Sequence, residues 1–589
     1  MIRTLLFFLL LPCVALAQEA ADAVAPEAAG AGQVSASDAA AEAQAQKAAG
    51  APTEAENWMV AAANPLAVDA GARVLREGGT AADAMVAVQA VLGLVEPQSS
   101  GLGGGAFLVW YDAQSGTTTT LDGRETAPLA ATPRLFQTED GEPMGFFDAV
   151  IGGRSVGTPG TPMLMKAAHE KWGRSEWAGL FDEAIALAES GFAVSPRMAG
   201  AVRADAEQLS THPTTRAYFL PDGEPVAEGH ILKNPDYAES LRALTEGPGA
   251  FYIGDIARDI VAAVQSADNP GMLGLIDFAI YRVIEREAVC AGYRGHEICG
   301  MGPPSSGALT VGQILGLLDG YDLAALGPDS PEAWRLIGDA SRLAFADRGR
   351  YMADSDYVPV PVKGLVDPAY LSDRAKLLDR KTALPEVAPG KPEFDHALNW
   401  ADDASLEFPS TSHISIVDQY GNALSMTTTI ENGFGSRVMV RGFLLNNELT
   451  DFSFRTHMDG VPIANRLEPG KRPRSSMAPT IVLKDGAPVL VVGSPGGSRI
   501  IGYVAKTIIA HLDWGMNVQE AIDLPHLVNR FGTYDVEDGR TPASLMTALT
   551  EQGFEVNPRD LNSGLHAISL GNALLGGADN RREGVAIGE

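Results

Sequence analysis

The chain has 589 residues, with 74 acidic side chains against 44 basic ones and a formal net charge of −30. This charge argues against nucleic-acid binding and favours a soluble exported protein. No stretch after the N-terminal segment is apolar for long enough to span a membrane.

The N-terminal segment reads as a targeting signal followed by a spacer. Residues 1–17 combine one Arg, a short apolar run and small residues before Gln18, which predicts a signal peptide cleaved after Ala17. We therefore expect a periplasmic or secreted protein. Residues 18–57 are rich in Ala and nearly free of large apolar side chains up to Gly50, so we expect a disordered tether there.

The globular part begins at Trp58 and shows no second linker, which favours one compact domain. Residues 64–98 carry helical periodicity twice, with Gly78-Gly79 and Glu96-Pro97 as the two helix ends. A glycine loop then leads into a predicted strand at 106–111. Residues 160–280 are predicted to be mostly helical.

Two glycine motifs in this half lack the structural context that their usual functions need. Residues 101–106 fit the G-x-G-x-x-A dinucleotide pattern, but the predicted order is helix, loop, strand rather than strand, loop, helix. Residues 153–157 fit the G-x-S-x-G nucleophile elbow, but Thr158-Pro159-Gly160 stands where a helix should begin. The first reading is rejected, and a Ser155 hydrolase is kept as a remote alternative.

Beyond Cys13, the cysteines are Cys290 and Cys299, in VCAGYRGHEIC. This segment predicts a hairpin that brings both sulfurs onto facing strands, where an exported protein could form a disulfide. A pair of buried free thiols is the alternative, and the sequence leaves the two open. No Cys cluster or H-E-x-x-H pattern supports a metal site.

The C-terminal part changes to strands flanked by helices, which predicts helix layers over a largely antiparallel sheet pair. HISIVD and NALSMTTT flank Gln419-Tyr-Gly as a hairpin, and a helix is expected from Arg499 to Leu512. Hydroxyl side chains stand at both open ends of this hairpin, at 410–412 and 427–429.

Thr411 is a candidate nucleophile because of its position at the hairpin entrance. A threonine hydroxyl needs an adjacent base. If the peptide bond between Ser410 and Thr411 is cut, the new α-amine of Thr411, with an unperturbed pKa near 8, lies beside its own hydroxyl. From this stretch alone, a hydroxyl-rich strand entrance at the surface is the competing interpretation.

The remaining motifs carry a family resemblance that extends from Trp58 to the C-terminus. They are NPLA…GGTAADA, GLGGGAF, GRETAP, GPPSSGA, TSHISIVDQYGNA, LLNNELTDFS, KRPRSSMAPTIV and GSPGGSRI. In this order they resemble the γ-glutamyltransferase (γ-glutamyltranspeptidase) family of N-terminal-nucleophile hydrolases. The resemblance implies an α+β fold, a four-layer αββα sandwich that forms one compact domain from two autoproteolytic fragments.

The resemblance also implies how the chain is processed. Thr411 would attack the carbonyl of Ser410 and become the N-terminal nucleophile of a small catalytic subunit, 411–589, paired with a large subunit, 58–410. Thr429 would orient the Thr411 hydroxyl. Gly496 and Gly497 would supply backbone N–H groups as an oxyanion hole, a role that glycines suit because the backbone can approach the substrate closely.

For the substrate, the resemblance places Arg124 on the α-carboxylate of a γ-glutamyl group, with Ser475 and Ser476 donating beside it. A planar guanidinium suits a carboxylate. Glu448 and Asp451 would accept from the α-ammonium of the same group.

Three further expectations concern the surroundings of this site. Glu431 would lie near the same ammonium, although many relatives carry Asn there. His413 is interpreted as a structural residue beside the nucleophile. The segment between Asp451 and Ser475 contains no Tyr and is shorter than the lid loop of many members, which predicts a more open site.

The function expected from the resemblance is an exported, self-processing γ-glutamyltransferase and glutathione hydrolase. Its donor would be glutathione, its intermediate a γ-glutamyl ester on Thr411, and its acceptors water, amino acids or peptides. No cofactor and no metal are implied. The alternatives are a glutaryl or cephalosporin acylase on the same scaffold and a non-catalytic binding protein that keeps the fold.

Overall fold

The computed structural model describes residues 37–396, 399–403, 405, 407–408 and 410–589. The predicted signal peptide, 1–17, lies outside these residues, as do residues 18–36. In the described part of the chain no helix is both long enough and apolar enough to cross a bilayer.

Fourteen strands build two large sheets in the described part of the chain. In chain order they are β1 Thr53–Ala55, β2 Met59–Ala62, β3 Gly105–Asp112, β4 Thr117–Gly123, β5 Ile284–Glu287, β6 Val289–Tyr293, β7 His296–Gly300, β8 Ser412–Val417, β9 Ala423–Thr429, β10 Thr480–Lys484, β11 Ala487–Gly493, β12 His566–Leu570, β13 Leu574–Ala578 and β14 Val585–Gly588.

The helices of eight residues or more in the described part are α1 Asp38–Ala48, α2 Pro65–Arg76, α3 Ala81–Val95, α4 Thr161–Trp172, α5 Asp182–Ser190, α6 Pro196–Ala204, α7 Pro235–Thr245, α8 Asp255–Ser266, α9 Gly307–Leu318, α10 Pro331–Tyr351, α11 Pro368–Ala375, α12 Ile500–Leu512 and α13 Ala543–Glu551. Shorter helices lie at Phe146–Val150, Ala206–Leu209, Pro213–Phe219, Gly249–Tyr252, Leu275–Ile280, Leu323–Leu326, Val362–Leu365 and Val518–Asp523.

Smaller sheets lie outside the two large ones. They pair Phe192–Ala193 with Ile231–Leu232, Met439–Val440 with Phe443–Leu444, and His457–Met458 with Val461–Pro462, and they join Leu527–Asn529, Thr533–Glu537 and Glu555–Arg559.

The two seven-stranded sheets are antiparallel throughout. The first sheet has the order β1-β13-β12-β11-β10-β7-β6, and the second has the order β14-β2-β8-β9-β3-β4-β5. Each sheet contains strands from both sides of the bond between Ser410 and Thr411. The two predicted subunits therefore share both sheets and form one domain.

Apolar residues divide into three layers, which confirms the αββα sandwich. One cluster joins the second sheet to α2 and α3 through residues such as Ile414, Ile416 and Val68. Another joins the first sheet to α9, α10 and α12. A third, which includes Val109 and Ile481, contains side chains from the facing surfaces of both sheets. Each sheet thus buries one face on helices and one face on the other sheet.

Local signals explain where the helices of the first layer begin and end. Asn64 caps α2 by accepting from the N–H of Leu66, and Pro65 opens the helix. Thr80 and Asp83 form a capping box at the start of α3. The glycine loop after α3 leads into β3, so the order helix, loop, strand is confirmed and the dinucleotide reading stays excluded.

The prediction of a disordered tether over 18–57 is wrong for its described part. Residues 38–48 form α1, which packs against β14, and residues 53–55 pair with β13. Ala40 and Ala43 are buried, and the Lys47 ammonium donates to the carbonyls of Arg582 and Gly584 at 2.9 and 2.6 Å. The small side chains of α1 are enough to hold the helix in place, because they let it pack closely and because the hydrogen bonds of Lys47 add to this packing.

The sulfurs of Cys290 and Cys299 are bonded to each other. They face each other in the register of β6 and β7, which form the predicted hairpin. The structure thereby decides between the two states that the sequence left open.

Replacing Lys47 by Met tests whether α1 is an integral part of the fold. The change removes two charge-assisted hydrogen bonds and leaves two carbonyls without their donor, so we expect the free energy of unfolding to fall by about 2–3 kcal/mol. Urea unfolding followed by fluorescence measures this loss. Glu42→Met, at an exposed position of the same helix, is the matched control, and equal midpoints for the two variants would contradict the assignment.

Candidate active site

The predicted site residues meet at one end of the sandwich, because the loops that carry them all leave the sheets at that end. Thr411 immediately precedes β8, Thr429 ends β9, and Arg124 follows β4. Ser475 and Ser476 lie ahead of β10, and Gly496 and Gly497 follow β11. Glu448 and Asp451 bound a single turn of 3-10 helix.

A small cavity of about 20 Å³ collects most of these residues, with room for roughly one water molecule. Its described lining is Arg124, Glu407, Phe408, Thr411, Thr429, Glu431, Glu448, Asp451, Ser475, Ser476, Met477, Gly497 and Ile500. Gly496 is the one predicted catalytic residue outside this lining, directly beside Gly497.

The peptide bond before Thr411 is held by hydroxyl groups. Thr411 Oγ1 lies 2.5 Å from the carbonyl oxygen of Ser410 and 3.3 Å from Thr429 Oγ1. Thr429 Oγ1 donates to the same carbonyl at 2.8 Å and accepts from the N–H of Glu431 at 2.9 Å. The hydroxyl that could attack and the hydroxyl that polarises the carbonyl therefore converge on one peptide group.

The hairpin register explains this convergence. Ser412 pairs with Thr428 and His413 with Thr427, so the next residues outward, Thr411 and Thr429, stand opposite each other. The expectation that the two hydroxyl clusters share the open end of one hairpin is confirmed. Glu431 turns the chain just beyond, with a φ of 76° that non-glycine residues adopt mainly at constrained sites.

His413 is fully buried between the two sheets and is not among the described residues that line the cavity. Its ring nitrogens contact Thr427 Oγ1 at 2.9 Å and Ser415 Oγ at 3.0 Å. Burial and the neighbouring His566 lower the pKa of His413 well below its usual value. A neutral ring held between hydroxyls on its own hairpin fits the predicted structural role.

Arg124 is surrounded by acceptors on every side. Its guanidinium pairs with Glu448 and with Asp451, the latter at 2.5 Å, and donates to the carbonyls of Pro473 and Arg474 at 3.3 and 2.8 Å. The family resemblance predicts that the two acids and the guanidinium bind opposite ends of one ligand. In this structure the guanidinium pairs with both acids instead.

Carboxylates outnumber guanidinium groups around this ion pair. Glu431 lies beside the pair, with its carboxylate accepting from the side-chain amide of Asn447 and from the N–H of Phe408 at 3.2 Å. Burial raises the pKa of Glu431, Glu448 and Asp451 well above the usual range, and their mutual repulsion adds to this shift. A cationic group entering here would relieve that repulsion.

The glycines after β11 permit a close backbone approach. A side chain on Gly497, where φ is 56°, would come within 2.7 Å of the carbonyl oxygens of Glu407 and Phe408. One on Gly496, where φ is 136°, would meet the ring of Tyr503 at 2.7 Å. Both positions therefore require glycine.

The two serines make different contacts. Ser476 Oγ donates to the carboxylate of Glu407. Ser475 Oγ accepts from the N–H of Met477 at 3.1 Å, while its carbonyl accepts from the N–H and the hydroxyl of Ser306 at 2.8 and 2.7 Å.

Three further residues belong to this region and are not predicted from the sequence: Glu407 and Phe408 line the cavity, and Arg348 lies behind Glu407. Arg348 lies on α10 and contacts both Glu407 and Ser476. No local pattern distinguishes Arg348 from the other arginines of that helix, so only the fold reveals it. Ser155 is buried, donates to the carbonyl of Val150 at 2.6 Å and does not appear among the described residues that line the cavity.

A double-mutant cycle tests the charge balance around Arg124. Arg124→Gln leaves buried acids without their cation and should lower the free energy of unfolding by about 3–5 kcal/mol, whereas adding Glu448→Gln should restore part of that loss. Thermal unfolding in a Thr411→Ala background, which removes the hydroxyl expected to cut the chain, measures both effects. Arg350→Gln, which breaks the exposed pair with Asp402, should cost less than about 1 kcal/mol. Strictly additive losses for Arg124 and Glu448 would show that the two do not interact.

Known proteins are similar to this chain over most of its length. A family model described as gamma-glutamyltranspeptidase matches residues 67–589. A glutathione hydrolase proenzyme of Bacillus subtilis (strain 168) is 38% identical over 549 residues, which cover 90% of this chain and 92% of the relative. An acylase ACY 1 proenzyme of Pseudomonas sp. (strain SE83) is 34% identical over 549 residues, covering 91% of this chain and 94% of the relative.

The fold is also similar to that of a solved structure, a cephalosporin acylase from Bacillus halodurans. The TM-score is 0.81 at 25% sequence identity, and the match covers 91% of this chain and 97% of that chain. The family model and the similarity to the Bacillus subtilis relative both extend across most of the sequence. The chain belongs to the gamma-glutamyltranspeptidase family.

Proposed function

We propose that this protein is a self-cleaving γ-glutamyltransferase and glutathione hydrolase whose nucleophile is Thr411. The observation that carries the proposal is the contact of Thr411 Oγ1 and Thr429 Oγ1 with one carbonyl, that of Ser410, at 2.5 and 2.8 Å. Membership of the family and relatives such as the Bacillus subtilis glutathione hydrolase proenzyme support the substrate class and the processing.

The first reaction cuts the chain. Thr411 Oγ1 attacks the carbonyl carbon of Ser410, the C–N bond to Thr411 breaks, and the acyl group moves from nitrogen to oxygen. Thr429 stabilises the charge that develops on the carbonyl oxygen, since its hydroxyl already donates there. Water then hydrolyses the ester, which leaves a carboxylate on Ser410 and a free amine on Thr411.

The second reaction uses the new terminus. The α-amine of Thr411 takes the proton of its own hydroxyl, which attacks the γ-carbonyl of the donor. N–H groups of Gly496 and Gly497 stabilise the oxyanion, and the leaving amine departs with a proton. Water, an amino acid or a peptide resolves the γ-glutamyl ester. The residues that carry out both steps are Thr411, Thr429, Gly496 and Gly497.

The surplus of buried acid favours a donor that carries an ammonium group. Glu431, Glu448 and Asp451 lie within one cavity with Arg124, so a donor's ammonium relieves their repulsion while its carboxylate competes for the guanidinium. A glutaryl donor lacks the ammonium. This is why we favour γ-glutamyl donors over the acylase activity that the names of other relatives carry.

We further propose that the protein is exported, on the evidence of the signal-like sequence at 1–17. The mature form would be a heterodimer of the large subunit, which ends at Ser410, and the small subunit, 411–589. The shared sheets support a pair that stays together after the cut.

Substitution of Thr411 tests the nucleophile. Thr411→Ala should give one uncut chain without turnover, because both oxygen and proton donor are lost, whereas Thr411→Ser should cut more slowly. Intact mass spectrometry of the purified protein and hydrolysis of a γ-glutamyl anilide measure the two steps. Ser155→Ala is the control and should keep both. A cut, active Thr411→Ala protein would rule out the mechanism.

Paired donors test the choice between the two acyl groups. We expect kcat/KM for a γ-glutamyl anilide to exceed that for the corresponding glutaryl anilide by about tenfold or more, since a charge-assisted hydrogen bond to the ammonium contributes roughly 1.5–3 kcal/mol. Asp451→Asn should narrow this ratio. A wild-type protein that prefers the glutaryl donor would be an acylase instead.

A further inference from the structure

The residues just before the cut occupy the cavity in the uncut chain. Glu407 and Phe408 line it, and the carbonyl oxygens of both lie against Gly497. The remaining space, about 20 Å³, is far too small for a glutamyl group. The chain itself therefore fills the volume that a donor needs.

The side chain of Glu407 makes the contacts that a bound carboxylate would make. It accepts hydrogen bonds from Arg348 Nη2, from Ser476 Oγ and, at 3.3 Å, from Arg474 Nε. Burial opposes its ionisation, but Arg348 and Arg474 outweigh this effect and lower the pKa of Glu407 to about 2. It is therefore a carboxylate at neutral pH.

The next residue, Phe408, makes a contact that the ammonium group of a donor would make. The backbone N–H of Phe408 donates to Glu431 Oε1 at 3.2 Å. Ser476 and Glu431 thus hold a carboxylate and an N–H donor from adjacent residues. The family resemblance assigns Ser476 to the α-carboxylate of the donor, and the proposed function places Glu431 at its ammonium.

Arg348 remains oriented without Glu407. Its Nε donates to Ser306 Oγ at 2.8 Å and its Nη2 to Ser476 Oγ at 2.7 Å, and the side chain is 4% exposed. A buried guanidinium that loses its counter-charge is strongly destabilising. Departure of Glu407 after the cut therefore creates a site that favours another carboxylate.

We propose that Glu407 and Phe408 act as an internal imitation of the donor in the uncut chain, and that Arg348 binds the donor's α-carboxylate once this segment has left. The inference rests on the proposed function and adds a specificity residue to it. The cut at Ser410 opens the subsite because it gives the segment a free end.

The two partners of one ion pair, Arg348 and Glu407, provide the test. According to the proposal, Arg348 stays in the donor site of the cut enzyme and Glu407 leaves it. In fully cut enzyme, verified by intact mass, Arg348→Lys should raise KM for a γ-glutamyl anilide by about tenfold or more, because a point charge does not reproduce the planar fork. Glu407→Gln should change that KM less than about twofold, since the side chain has left the site. Arg350→Lys, two residues along the same helix, is the matched control.

4-Aminobutyryl anilide is a donor that lacks the α-carboxylate. It distinguishes a role of Arg348 in binding that carboxylate from a purely structural role of Arg348. Arg348→Lys should leave its KM within about twofold of wild type. A rise in KM for both donors alike would mean a structural role and would overturn the proposal. Equal effects of Glu407→Gln and Arg348→Lys on KM would mean that the ion pair persists in the cut enzyme. That result would also overturn the proposal.

A peptide keeps the proposal testable if the Arg348 variant does not fold. The sequence SLEFPS, residues 405–410, should inhibit the wild-type cut enzyme competitively with the donor, and its SLQFPS version should bind about tenfold more weakly. Non-competitive inhibition, equal potency of the two peptides, or no inhibition would each contradict the proposal. A wild-type enzyme without γ-glutamyl turnover would refute the proposed function itself, which these outcomes do not.

Discussion

The contact between two threonine hydroxyls and one carbonyl is the constraint on which the site depends. Thr411 Oγ1 and Thr429 Oγ1 both reach the oxygen of Ser410, and a hydroxyl oxygen can occupy that position only if the hairpin register places residues 411 and 429 opposite each other. A slip of one residue would turn every side chain of β8 to the other face. The packing of Ile414 and Ile416 against the helices opposes such a slip.

The layers around the hairpin keep this register in place. β8 and β9 are central strands of the second sheet, with β2 on one side and β3 on the other. Arg582 Nη1 donates to the carbonyl of Thr411 at 3.1 Å, and the carbonyl of Arg582 accepts from Lys47 of α1. The N-terminal helix is thus connected to Thr411, the proposed nucleophile, through one arginine, although it belongs to a segment with little apolar surface.

Charge determines how the site changes between the uncut and the cut chain. In this structure Arg124 pairs with Glu448 and Asp451, and Arg348 pairs with Glu407. Both guanidinium groups therefore already have a carboxylate partner. The proposed cut would add a positive amine at Thr411 beside an acidic cavity and would free the segment that carries Glu407. Relatives that are similar over most of this chain carry both glutathione hydrolase and acylase names.

The sequence by itself determined the family, the layered fold and most of the site, because these depend on motifs whose order and local geometry survive in the linear chain. The helices that end at Arg76 and Val95 and the hairpin of β8 and β9 follow from periodicity and turn residues. Only the tertiary structure showed that Cys290 and Cys299 are bonded to each other, that residues 38–48 form a helix, and that Arg124 pairs with Glu448 and Asp451. It also revealed Glu407 and Arg348, which lie 59 residues apart and meet only through the packing of α10 against the segment before the cut. Such contacts join parts of the chain that share no local sequence pattern. They can therefore be identified only once the chain is folded.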